Sequence, residues 1–117
     1  VQNLAMNNGI AWAILIVAGA CEFIWAVGLK YSDGFSRLWP STGTLLAMIL
    51  SVVLLGLSLK SLPLGTAYAV WTGIGAVGTA VCGILLFSEV RSTARLLCIA
   101  MIVAGIVGLK LVTSADD

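Results

Sequence analysis

The chain has 117 residues, 61% of them apolar and only 9% charged, with a formal net charge of +1. Soluble domains average about 45–50% apolar and about 25% charged, so a chain this short cannot hide its apolar surface within itself, and most of its solvent must be lipid. The near-neutral balance offers no basic face to nucleic acid. The absence of histidine removes the commonest metal ligand and the usual general base.

Residues 1–8 carry no charge and lack the cationic region of a secretory signal. Met6 offers an alternative start, so this stretch is set aside from the fold. Four apolar runs follow, at residues 10–29, 38–59, 64–87 and 93–112. A helix rises about 1.5 Å per residue, so about 20 residues cross a hydrocarbon core of about 30 Å. The expectation is one all-α domain over residues 1–117 with four transmembrane helices. The connections and run ends hold the other charges: Lys30, Asp33 and Arg37 around the first loop, Lys60 in the second, and Glu89, Arg91 and Arg95 around the third. Pro63 stops one helix and opens the next. Lys110 and the pair Asp116 and Asp117 finish the chain, and that acidic pair reads as a solvated tail. Lys30, Arg37, Arg91 and Arg95 face Lys60 and Lys110 across the membrane, a small bias that favours neither orientation decisively and is compatible with dual topology.

Glu22 stands apart, because it lies near the middle of the first run. A charged side chain at membrane depth costs roughly 2.5–3.5 kcal/mol on insertion scales. Such a group faces a bundle interior or a wet cavity and marks an ion or proton pathway. Helical spacing puts Leu15, Ala18, Gly19, Glu22, Trp25, Ala26 and Leu29 on one face. The indole of Trp25 is suited to donating to a carboxylate or holding a cation on its face, although tryptophan also serves as an interfacial anchor. The second run offers Thr44, Ala47, Ser51 and Ser58 as a small, polar stripe. Ser51 is its deepest hydroxyl, with a bond back to its own helix as the plain alternative. In the third run Tyr68, Trp71, Thr72 and Gly75 share a face. Gly73, Gly75 and Gly78 read either as a hinge or as a site of close helix packing. In the fourth run Ala100, Ala104 and Gly108 recur every fourth residue, with Gly105 widening the seam. That small-residue pattern suits helix association, between subunits or within one.

Cys21, Cys82 and Cys98 lie within apolar runs without metal or redox spacing and read as packing residues. The residues call for no metal and no cofactor. Without a nucleophile–base pair, an enzyme is not expected.

Together, the single acid of the first run, the segment WAVGLKYSDGFSRLWPS at residues 25–41 and the segment KSLPLGTAYAVWTGIGAVG at residues 60–78 resemble the small multidrug resistance transporters. The resemblance runs from about Ile10 to Val112. It implies an antiparallel homodimer of four-helix subunits in the bacterial inner membrane, exchanging cations for protons. The drug-exporting branch usually has threonine where this chain has Trp25, whereas the guanidinium-exporting branch has tryptophan and the GTAYAVWTGIG run. The resemblance is therefore to the second branch. It implies guanidinium or a similar small cation as substrate, with Gly19, Glu22, Trp25, Ser51, Tyr68 and Trp71 at the site. On that reading two Glu22 side chains share one cavity, titrate as a coupled unit and hold either about two protons or one cation. A carboxylate takes planar guanidinium through two parallel bonds. Three other readings compete: a drug-exporting relative that moves quaternary ammonium compounds, a passive ion channel, and a non-transporting structural subunit of a membrane complex.

Overall fold

The computed structural model describes residues 8–113. They form four helices: α1 (Asn8–Tyr31), α2 (Leu38–Ser58), α3 (Leu64–Phe87) and α4 (Thr93–Val112). Each is long and apolar enough to cross a membrane. The expectations for residues 1–7 and for Asp116 and Asp117 lie outside the described residues.

Helix α1 continues past its apolar run at both ends. Its last turn holds Lys30, whose charge complements the carbonyl end of the helix dipole. Helix α2 stops at Ser58, whose hydroxyl donates to the Leu55 carbonyl at 2.7 Å. The first loop turns through three consecutive left-handed residues, Asp33, Gly34 and Phe35. Ser32, fully buried, fastens that turn by donating to the Leu29 carbonyl at 2.7 Å and accepting from the Phe35 N–H at 3.1 Å. Pro63 precedes α3 in extended conformation, where its missing N–H costs the helix nothing. Ser88 ends α3 in the left-handed region, and the Glu89 N–H closes the turn on the Gly83 carbonyl at 3.1 Å. Ser92 then caps α4 by accepting from the Arg95 N–H at 3.2 Å.

Helix α1 packs against both α2 and α3, and the backbone of α4 packs against α3 alone. The result is a flat body of 44 × 36 × 17 Å. Its core sits where α1, α2 and α3 meet, around Ala11, Leu15, Ala18, Ala67 and Val70, with Trp12, Leu55 and Leu62 at its margins. Many apolar residues outside this core face outward, as a lipid solvent permits, among them Leu46, Ile49 and Val53 on α2, and Leu97, Met101 and Val107 on α4.

Small residues set how closely the helices approach. Helix α3 runs unbroken through Gly73, Gly75 and Gly78, and each of the three is covered by a neighbour. Gly73 lies under Ile106 of α4, and Gly75 and Gly78 lie against Glu22 and Phe23 of α1. A Cβ at position 78 would stand 2.5 Å from Phe23 Cγ. The small residues of α4 differ: Ala100, Ala104 and Gly105 are exposed, and a Cβ at Gly105 or Gly108 would meet nothing within 4 Å.

The contrast gives a measurable expectation. Gly78→Ala forces the Phe23 ring aside and destabilises the subunit by about 1–3 kcal/mol, whereas Gly105→Ala leaves its stability within about 0.5 kcal/mol. Thermal unfolding of the detergent-solubilised proteins compares the two; equal melting temperatures would show that the α1–α3 approach is not tight at position 78.

Candidate functional site

A cleft of about 660 Å³ opens between α1 and α3, with mostly apolar walls. Glu22, Trp25 and Ala26 line it from α1, following the one-turn spacing of a helix face. Tyr68, Trp71, Thr72 and Gly75 line it from α3 on the same principle.

Glu22 is half-buried and is the only carboxylate within the four helices. Its side chain lies on α3 at Gly75, where an added Cβ would fall 2.7 Å from Glu22 Cγ and 2.8 Å from Cδ. Gly75 is therefore what lets the carboxylate lie against the helix. Among the described residues no side chain donates a hydrogen bond to that carboxylate, which lines the cleft with its acceptors unused.

Ser51 lies behind the cleft rather than on its wall. It is fully buried, and its hydroxyl donates to the Ala18 carbonyl at 2.7 Å while accepting from the indole N–H of Trp71 at 2.9 Å. The bond leaves its own helix, unlike those of Thr44 and Ser58, which close on carbonyls of α2. Three helices are thus joined through one hydroxyl. In an α-helix the carbonyl of residue 18 is also the acceptor for the N–H of residue 22, so the relay ends one turn behind Glu22 on the backbone that carries it. In this conformation Ser51 gives the carboxylate no direct hydrogen bond; it is tied to Trp71 and to the backbone one turn before Glu22.

The Trp71 ring also meets Tyr68, with centroids 5.5 Å apart and planes tilted by 50°. Tyr68 is half exposed at the open side of the cleft. Trp25 faces the same space, and among the described residues nothing holds its indole N–H. Gly19 is placed elsewhere: it is buried against Ile74, where a Cβ would be 2.7 Å from the Ile74 side chain, and it is off the cleft wall.

The cleft also reaches residues not expected at a site. Lys30, Phe87, Glu89 and Arg95 line its end, where the C-termini of α1 and α3 meet the start of α4. Lys30 carries a readable signal, since it lies eight residues, about two turns, after Glu22. Glu89 and Arg95 carry none, because their meeting depends on the turn at Ser88.

The middle of the cleft, with one acid, two indoles and a phenol, is suited to a small organic cation: the carboxylate supplies charge and acceptors, and the aromatic faces supply cation–π attraction. Four helices long and apolar enough to cross a membrane, two of them forming the walls of such a cleft, fit a multi-pass membrane protein of the transporter class. Residues 10–102 match the family model described as Small Multidrug Resistance protein, and the chain belongs to that family. Its relatives include a protein named guanidinium exporter from Yersinia pseudotuberculosis serotype I (strain IP32953), 65% identical over 102 residues that span 87% of this chain and 98% of the relative. Another of that name, from Salmonella typhimurium (strain LT2), is 61% identical over 87% of this chain and 97% of the relative. A third, from Citrobacter freundii, is 58% identical over 89% of this chain and 99% of the relative. The family and the apolar helices place the chain in the bacterial inner membrane.

The relay through Ser51 makes a testable unit. Ser51→Ala strands the Trp71 N–H and costs more in the native chain than in a Trp71→Phe background. A double-mutant cycle on unfolding free energy is expected to give a coupling of about 0.6–2 kcal/mol; additive losses would mean that the two side chains do not share a bond that matters.

Proposed function

We propose that the protein exports guanidinium and related small guanidino cations in exchange for protons, with Glu22 as the shared seat of cation and proton. One observation carries the reading: the only carboxylate within the helices lies in an apolar cleft with its oxygens free of other donors and with indoles beside it. The names of relatives 58–65% identical to this chain support guanidinium as the cargo. Trp25 supports it further, because a planar, delocalised cation stacks well on an indole.

A working site needs two subunits. The cleft is open on one side, and the body is only 17 Å through its thinnest direction. The exposed small residues Ala100, Ala104 and Gly105, with Gly108 beside them, provide a surface on which a second α4 can approach closely. We take the partner to be an inverted copy of the same chain, so that each orientation supplies one Glu22 to a common cavity. Ser51 and Trp71 then fix the floor of the cavity, and Tyr68 bounds its open edge. Gly19 contributes by letting α3 approach α1 at Ile74.

Exchange follows from exclusion. A carboxylate that holds a proton has no charge to offer guanidinium, and one that holds guanidinium has no room for the proton. The cavity therefore crosses the membrane carrying protons or cargo, and two acids with a singly charged cargo give about two protons per cation. Reorientation requires α3 to shift against its neighbours, and the glycine-rich stretch Gly73, Gly75 and Gly78 is where small residues make that shift least costly.

The sign of the pH effect follows directly: protons compete with cargo, so apparent affinity falls as pH falls. In the titrating range the loss is about tenfold per pH unit for each proton expelled. Current recordings on solid-supported membranes test the scheme. The native protein is expected to give guanidinium-dependent current that vanishes in Glu22→Gln, with little current from a bulky quaternary ammonium ion. Binding indifferent to pH, or current surviving in the variant, overturns the exchange scheme.

A further inference from the structure

The far end of the cleft repeats the chemistry of its centre. Glu89 and Phe87 stand there together, a carboxylate and an aromatic ring, as Glu22 and its indoles stand at the middle. Each of these outer groups is met by a cation of the protein itself. The Arg95 guanidinium pairs with Glu89 Oε1 at 2.7 Å, and Lys30 Nζ lies 5.5 Å from the centre of the Phe87 ring. The carboxylate is also held in place. Ser88 turns the chain back, the Glu89 N–H bonds to the Gly83 carbonyl at 3.1 Å, and the carboxylate lies on Gly83, where a Cβ would be 2.7 Å from Glu89 Cδ. Gly83 thus does for Glu89 what Gly75 does for Glu22.

We propose that Glu89 and Phe87 form an outer binding site for guanidinium-type cations at the cleft mouth, occupied at rest by the guanidinium of Arg95. Arg95 shows that the carboxylate can take a guanidinium head in this place. Its hold is light: both partners are more than a third exposed, and exposed pairs contribute only about 0.2–1 kcal/mol. A free guanidinium ion can therefore displace Arg95, dock on Glu89, and pass along the cleft to Glu22. Lys30 gives up the Phe87 face in the same exchange. This inference rests on guanidinium being the cargo, but its test does not depend on Glu22.

The test uses the Glu22→Gln protein, in which the central site is disabled, with its Arg95 Nε–H group and its amides at residues 83–89 followed by NMR during titration with guanidinium chloride. Saturable shifts are expected at these groups, and the Arg95 signal should move toward its position in the Glu22→Gln/Glu89→Gln protein. Adding Arg95→Gln removes the resident competitor and is expected to tighten guanidinium binding by about 1.5- to 5-fold, whereas adding Glu89→Gln abolishes the shifts. Sodium at equal concentration separates specific docking from ionic strength. Shifts that are absent, matched by sodium, or retained without Glu89 overturn the outer site. Binding of guanidinium by the native protein in the same experiment would then leave the proposed cargo standing.

Discussion

The fold is organised around the contact between Glu22 and Gly75. A carboxylate placed at membrane depth needs a route between two helices, and the absent side chain at position 75 provides it. Phe23 beside Gly78 and Ile74 beside Gly19 extend the close approach along the same seam. The α1–α3 interface therefore uses a ladder of small-against-large contacts where a soluble protein would use interdigitated aliphatic side chains. Lipid tails are as apolar as leucine, so close packing and buried hydrogen bonds have to supply the specificity that water exclusion supplies elsewhere.

The Trp71–Ser51–Ala18 relay complements that seam. It joins α3 to α2 and α2 to α1 at the depth of the cleft floor. In doing so it satisfies an indole N–H that would otherwise be stranded among apolar groups. A polar side chain buried in this way orients its neighbours even where it touches no ligand.

The four helices are legible in the sequence because each apolar run matches the thickness of a bilayer, and in lipid a single segment satisfies its own backbone only as a helix. Glu22 is legible because a mid-run acid is costly, and Trp25, Tyr68, Trp71 and Gly75 follow from helical spacing. Ser51 is visible as a deep hydroxyl, but its partners are not, since a bond spanning 33 residues to Ala18 leaves no local pattern. Gly19 groups with Glu22 by helical spacing and by family resemblance, yet it lies against Ile74. Spacing fixes a face to within about a turn and does not say which neighbour fills it. The mouth of the cleft is hidden for a related reason. Glu89 and Arg95 read as loop charges, and only the left-handed turn at Ser88 brings them over the end of α3.

The two indoles of the cleft differ in how they are tethered. Trp71 is fastened through Ser51 and leans on Tyr68, whereas nothing among the described residues fastens Trp25. One indole is consequently held by a hydrogen bond between helices, whereas among the described residues turning the other breaks none. On the proposed function, a bulkier guest would call for rotation of that one ring, so residue 25 is where tolerance toward substituents on the cargo would be set.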